Sequence, residues 1–178
     1  AVGNVLTKTQ TISGTPATQT YAYDDANRQT SAAGLAQTYD NNGNLLNDGT
    51  TAYTWDGANR MTASGSTAYT YNGLNDRVSV GGATHQLDLN AGLTQVLADG
   101  TNTYLYGAGR LGEKQAAGWQ YHLADGLGSV RQLADASGAV TAAKSYEPYG
   151  EVLSSTGGVS SAYGFTGEQQ DNYIKLVY

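Results

Sequence analysis

One short phrase is written four times between residues 21 and 77: YAYDDANR, TYDNNGNL, YTWDGANR and YTYNGLNDR. Its aromatic residue falls at Tyr23, Tyr39, Trp55 and Tyr71, a constant step of 16 (39−23, 55−39, 71−55). Asp24, Asp40, Asp56 and Asn72 follow directly, and Asn27, Gly43, Asn59 and Asn75 close each phrase. A fixed period of this kind belongs to chains built from equivalent units that bury their apolar faces against their neighbours.

A second series of turn signals lies about half a period away, at Gly34, Asp48-Gly49, Ser64-Gly65, Gly81-Gly82, Asp99-Gly100, Ala117-Gly118 and Ser137-Gly138. The glycines Gly34, Gly49, Gly65, Gly82, Gly100, Gly118 and Gly138 are expected to turn hairpins, where the backbone needs positive φ. In the other series, an Asp such as Asp24 or Asp56 accepts hydrogen bonds from the N–H groups ahead of it, and the Asn or Gly takes the left-handed conformation. Turns at both ends leave strands of about five or six residues. Tyr53 and Trp55, or Tyr69 and Tyr71, then share one face, while Thr54, or Ala68 and Thr70, occupy the other. That alternation predicts half-buried antiparallel sheet. The fold class expected is all-β: a hairpin meander that must coil into a solenoid-like spiral or shell to bury its aromatic face. The run SSTGGVSSA, residues 154–162, has the composition of a flexible loop.

Composition narrows the function classes. Charged residues are 13%, about half the usual ~25%. With 14 Tyr and 24 Gly the chain is neither disordered nor an ordinary helical enzyme. The net charge of −6 argues against nucleic acid and anionic membranes as partners. There is no cysteine, which removes disulfides and thiolate chemistry. No apolar run is long enough for a membrane helix. The opening AVGNVLTKTQ has no signal-peptide pattern, and Gly3-Asn4-Val5-Leu6 repeats the style of Gly43-Asn44-Leu45-Leu46, so the chain reads as a piece of a longer protein.

Several motifs carry possible chemistry. Gly107-Ala108-Gly109-Arg110-Leu111-Gly112 fits G-x-G-x-x-G, but a dinucleotide site needs a helix to start there, and Gly118 follows too soon. A glycine-rich turn is expected, with no cofactor. Asp40-Asn41-Asn42-Gly43-Asn44 opens like a calcium loop, but Leu45 and Thr51 stand where an EF-hand needs Gly and Glu, so no metal is assigned. His85, His122 and Ser129 form no linear catalytic signature. Glu147, Glu151 and Glu168 are carboxylates of the kind that pair in glycosidases, yet hydrogen bonding to turn backbone suits them better. No catalytic residue is assigned.

The YD phrases resemble the YD-repeat family, also called rearrangement-hot-spot (Rhs) repeats. Asp125-Gly126-Leu127-Gly128-Ser129-Val130-Arg131 resembles the start of its repeat-associated core, Tyr146-Glu147-Pro148-Tyr149-Gly150-Glu151 its YDPYGE element, and Tyr163-Gly164-Phe165-Thr166-Gly167-Glu168 its YGFTG element. On this reading residues 1–178 are one scaffold: regular repeats over 1–86, drifted repeats over 87–120 and a core-like segment over 121–178. The resemblance implies a β-strip wound into a hollow shell, extracellular or at the cell surface. In bacterial polymorphic toxins such a shell encloses a C-terminal polypeptide, and the family's self-cleavage residues and payload have no counterpart here. Three roles follow as expectations: a non-catalytic scaffold that self-assembles head to tail through edge strands into a homo-oligomer or filament, a fragment of a toxin-encasing shell, or a glycan-binding adhesion module. The candidate edges are residues 2–6 and 174–178, which carry a single charge, Lys175.

Overall fold

The computed structural model describes residues 3–12 and 15–171, so Val2 and residues 174–178 of the expected edges lie outside the described residues. The chain divides into two compact units, Ala1–Tyr69 and Thr70–Tyr178.

In the first unit the strands are β1 (Thr7–Ile12), β2 (Thr15–Tyr23), β3 (Gln29–Ala32), β4 (Leu35–Ala36), β5 (Thr38–Tyr39), β6 (Leu45–Asn47), β7 (Tyr53–Trp55), β8 (Met61–Ser64) and β9 (Thr67–Tyr71), within which the division falls. Each pairs antiparallel with a sequence neighbour: β1 through β4 in order, β5 with β6, and β7 through β9. The period-two pattern acts as elementary geometry requires. Tyr53 and Tyr69 are buried, while Thr54 and Ala68 are exposed. Met61 and Ser64 join the buried set from β8.

The second unit holds the hairpin β10 (Arg77–Val80) and β11 (Ala83–Thr84). It then forms an antiparallel sheet of eight strands in sequence order: β12 (Gln86–Asp88), β13 (Gln95–Ala98), β14 (Thr103–Tyr106), β15 (Arg110–Gln115), β16 (Gly118–Ala124), β17 (Val130–Ala134), β18 (Val140–Tyr146) and β19 (Val152–Gly157). Register places Tyr104 opposite Glu113 and Glu113 opposite Gln120. His122, Leu133, Ala142 and Gly157 are likewise opposed in turn. Residues 158–171 return over this face. Tyr163 meets Tyr104 edge-on, with ring centroids 5.0 Å apart, in a core completed by Val130, Leu133 and Ala142. The fold is therefore all-β and antiparallel, as the alternation and turn chemistry predict.

The expected loop at residues 154–162 is corrected in its first half. Ser154 to Gly157 belong to β19, where Ser154 bonds Ser145 across the pair and Gly157 stands opposite Ala142. Ser, Thr and Gly give a linker composition, but here they serve a strand pressed close to its partner. An added Cβ at Gly157 would lie 2.1 Å from the Thr141 carbonyl oxygen.

The seven turn glycines, Gly34, Gly49, Gly65, Gly82, Gly100, Gly118 and Gly138, all hold positive φ, but their surroundings differ. At Gly82 a Cβ would meet open space, whereas at Gly49 it would lie 2.6 Å from the Leu35 Cβ. Gly82→Ala is therefore expected to cost about 1 kcal/mol, for the backbone alone. Gly49→Ala is expected to cost at least twice that, about 2–3 kcal/mol. Urea unfolding of the two variants side by side checks the order; equal losses would contradict it.

Candidate functional site

The repeated phrase encodes one hydrogen-bonded device. The Asp24 N–H donates to the Arg28 carbonyl, and the Asn27 N–H, with φ 61, donates back to the Asp24 carbonyl. The Asp24 Oδ1 accepts the N–H of Ala26 and of Arg28, both at 2.9 Å. The strand register slips by one residue at Tyr23, so the aromatic faces Gln29 across a β-bulge. Asp40, Asp56 and Asn72 build the same turn with Gly43, Asn59 and Asn75 at positive φ. The residue after the left-handed position closes it: Arg28 and Arg60 donate to Asp24 and Asp56 at 2.7 Å, and Asn44 to Asp40 at 2.8 Å.

The aromatic then ties each hairpin to the one before. The Tyr39 hydroxyl donates to the Gln29 carbonyl at 2.8 Å, and the Trp55 indole N–H donates to the Leu45 carbonyl at 2.8 Å. Tyr23 reaches Val5 in the same way, and Tyr106 and Tyr146 reach Val96 and Val130 in the second unit. An apolar ring with a polar tip suits this task, since the ring fills the space beside the sheet while the tip satisfies a carbonyl. Asn42 and Asn44 also donate to the Asn59 side chain, at 3.0 and 2.8 Å, linking successive turns.

The same turn recurs where the phrase is no longer legible. At Asp125, Asp135 and Glu147 the backbone carbonyl accepts the N–H of a glycine at positive φ, respectively Gly128, Gly138 and Gly150, and the backbone N–H donates to the carbonyl of the next residue, Ser129, Ala139 and Glu151. A further pair of turns reads D-G-T-x-x-Y, at Asp48 to Tyr53 and Asp99 to Tyr104. In both, Oδ1 of the Asp accepts two turn N–H groups and Oδ2 accepts the Tyr hydroxyl, at 2.7 and 2.5 Å. Burial works to raise the Asp48 carboxyl, but the Thr50 and Tyr53 hydroxyls and the Thr51 N–H outweigh it and hold the group far below the usual range.

Turn donors also hold Asp24, Asp40, Asp56 and Asp135 below the ordinary value of 3.8; the leading causes are the Arg28 backbone, the Asn44 side chain, the Arg60 side chain and the Ser137 hydroxyl. A folded-state value below the unfolded one means that these groups stabilise fully above the ordinary value, and that the gain is lost as pH falls through the lowered values. The melting temperature is expected to be flat from neutrality down to about pH 5 and to fall below about pH 4. Asp40→Ala and Asp56→Ala should each lower it at neutral pH and shrink the acid-side fall. A melting temperature that rises on acidification would contradict this.

The three C-terminal motifs meet. The Val130 N–H donates to the Gly164 carbonyl at 2.9 Å, and the Thr166 N–H donates to the Ser129 hydroxyl at 2.9 Å. Gly150 lies against the Phe165 ring, where an added Cβ would come to 2.8 Å. Tyr146 packs on Phe165 with centroids 5.8 Å apart, and the Arg131 guanidinium lies over the Tyr146 ring. Arg131 also faces Asp125 at 3.8 Å. Arg110 covers the Tyr163 ring and donates to the Gly167 carbonyl. Gly164 itself holds close to the Gln170 side chain, and Pro148 sits in the turn closed by Gly150. Tyr149, beside Pro148, is 96% exposed.

Beneath the returning segment lies an acid, a base and a hydroxyl: Glu113, His122 and Ser161. Glu113 is fully buried. Its carboxylate accepts the Ser161 hydroxyl at 2.7 Å and the Gln115 amide, with His122 Nε2 at 3.4 Å. The Ser161 oxygen accepts the Tyr163 N–H at 3.1 Å. These residue types make a hydrolase triad only when the imidazole lies between acid and hydroxyl, one ring nitrogen to each. Here one nitrogen, Nε2, faces both Glu113 and Ser161, each at 3.4 Å, and Nδ1 has no partner among the described residues. The serine proton goes to the carboxylate rather than to the base. The cluster is a clamp that fixes residue 161 to the sheet. Sequence spacing gave no sign of it, because its members come from β15, β16 and the return segment.

The G-x-G-x-x-G glycines open a hairpin: the Gly107 N–H donates to the Gly109 carbonyl, and Arg110 to Gln115 continue as β15. Asp40 spends its carboxylate on turn N–H groups and Asn44. Among the described residues, no three His, Asp or Glu side chains converge as metal ligands, and no helix is long and apolar enough to cross a membrane.

Hairpins of this kind, tied by aromatic tips to preceding carbonyls, define a repeat-built β-wall. The chain belongs to the Teneurin YD-shell family, whose model matches residues 3–178. Solved structures share the fold at low identity. A Photorhabdus luminescens Tc holotoxin pore carrying a TccC3 point mutation superposes with a TM-score of 0.55 at 13% identity, over 90% of this chain and 11% of that one. TcdB2-TccC3 without its hypervariable C-terminal region gives 0.54 at 16%, over 92% and 11%. TcdB2-TccC3-Cdc42 gives 0.53 at 15%, over 90% and 11%. The chain thus spans about a tenth of the length of these structures. No curated protein matches it in sequence.

Proposed function

We propose that the chain is a non-catalytic segment of the wall of a YD-repeat shell, extracellular or at the cell surface, which surrounds a polypeptide rather than acting on it. The observation that carries this reading is the stitch from each aromatic tip to the carbonyl of the hairpin before it, as in Tyr39 to Gln29 and Trp55 to Leu45. Such bonds commit the aromatic series to the wall itself and leave it little to offer a glycan. The clamped, buried Glu113 cluster supports the absence of catalysis.

One observation favours a second reading, self-assembly into a filament. The six residues of β19, Val152–Gly157, are all exposed and uncharged, and pair with β18 on one side. Its other edge is unpaired among the described residues, and an uncharged open edge invites strand addition. Sedimentation and negative-stain imaging at micromolar concentration, on the chain and on Leu153→Lys, separate the two. A compact monomer in both supports a wall segment that needs its parent's neighbouring turns. Fibres abolished by Leu153→Lys support the filament. Specific signals on a glycan array would replace both readings with an adhesion module.

A further inference from the structure

In the second unit the β12–β13 connection, the start of β15 and the end of the return segment line a cleft of about 580 Å³. Leu93, Val96, Tyr106 and Tyr163 give it apolar walls, and Arg110 is the cation set among them. Most of the other polar groups there are spent. The Tyr106 hydroxyl donates to the Val96 carbonyl, the Thr94 hydroxyl serves Asp76, and the Gln169 side-chain oxygen accepts from Arg77. Gln95 adds a neutral amide, and Glu168, which is exposed, adds a carboxylate that forms no ion pair with Arg110.

Arg110 stands apart from the other arginines. The chain has five, and Arg28, Arg60, Arg77 and Arg131 each face an aspartate within 4 Å, at 2.7, 2.7, 2.9 and 3.8 Å. Acidic residues outnumber basic ones by 15 to 9, yet Arg110 has no carboxylate among the described residues. It is held instead by the face of the Tyr163 ring, 3.1 Å from the centroid, and by the Gly167 carbonyl, which takes one Nη2 hydrogen. Its Nε is closed off without an acceptor. Nη1 is not closed off, and its two hydrogens, with the second of Nη2, have no acceptor among the described residues. A guanidinium left part-buried without its anion is costly, and its planar end matches a carboxylate through two parallel N–H bonds. Leu93, Val96 and Tyr106 require an apolar body on that carboxylate. Glu168 disfavours a second negative charge, so a phosphate fits less well.

We propose that this cleft binds a monocarboxylate with an apolar body, paired end-on with Nη1 and Nη2 of Arg110. The carboxylate belongs either to a free organic acid or to the carboxyl terminus of another polypeptide. This inference does not depend on the shell reading.

The test follows the Arg110 side-chain signals and the Thr94 and Glu168 amides by NMR while hexanoate is added to the folded chain. Hexanamide, of the same length but uncharged, and inorganic phosphate are the controls. Saturable shifts with hexanoate, at least about tenfold weaker with either control, are expected. Arg110→Lys keeps the charge but loses the planar fork, and should weaken binding about tenfold. Glu168→Gln alters an exposed side chain, leaves the fold in place, and should tighten hexanoate about threefold. N-acetyl-Ala-Leu, compared with its C-terminal amide, identifies the source: tighter binding of the peptide acid than of hexanoate favours a polypeptide, and the reverse a free acid. No saturable shift at Arg110, an equal response to hexanamide or phosphate, or unchanged binding in both variants would overturn the proposal.

Discussion

Gly157→Ala is expected to destabilise the second unit by about 4 kcal/mol or more. Two independent costs combine. The residue holds φ +87, a region that disfavours any Cβ. The added carbon would also lie 2.1 Å from the Thr141 carbonyl oxygen and 2.7 Å from the Ala142 Cα, and both are backbone atoms of β18 that cannot rotate away. The strand must therefore separate locally, loosening β19 and the start of the return segment. Gly158→Ala next to it is the control, since a Cβ there meets nothing within 4 Å. Urea unfolding should separate the two variants widely. A Gly157→Ala loss within about 1 kcal/mol of the control would show that β19 is not held against β18 as described.

The second large effect is expected from Glu113→Ala, at about 3–5 kcal/mol. The side chain gathers the Ser161 hydroxyl, the Gln115 amide and His122 in a site closed to water. Its removal takes the carboxylate acceptor from the buried Ser161 hydroxyl and the charged partner from His122, while the Gln115 amide keeps only the Ser160 carbonyl, and a buried donor left unpaired costs more than its bond contributed. Ser161→Ala removes one donor and keeps the acid, so a loss of about 1–2 kcal/mol is expected. Hydrogen exchange should show residues 161–164 opening first in Glu113→Ala. A loss below about 1 kcal/mol would mean that the carboxylate is not the centre of the clamp.

How much of this was legible in sequence differs by element. The turns were, because Asp24, Asp40 and Asp56 carry their partners within four residues, and local hydrogen bonding leaves a local signature. Burial of Tyr53 and Tyr69 was also legible, from strict alternation. The D-G-T-x-x-Y turns at Asp48 and Asp99 were written in the chain twice and could have been found by comparing the two segments. The turn at Asp125 was hidden because Ala124 replaces the aromatic that marks the phrase, and the turn that Gly138 marks could not be recognised as the same device because Ala134 does so before Asp135. β19 was hidden because exposure on both faces allows Ser, Thr and Gly, the residues of a linker. Glu113, His122 and Ser161 could not be read together, since sheet register and a chain reversal bring them together.

The measurement that bears most directly on the account is a cryo-EM structure of the full-length protein that carries this chain. The account predicts density in which these hairpins form part of a continuous wall around an enclosed space, with the Tyr39–Gln29 and Trp55–Leu45 bonds intact and the Glu113 cluster sealed. A chain that stands as a separate domain outside any shell, or one whose Glu113, His122 and Ser161 open onto a solvent-filled cleft, would contradict it.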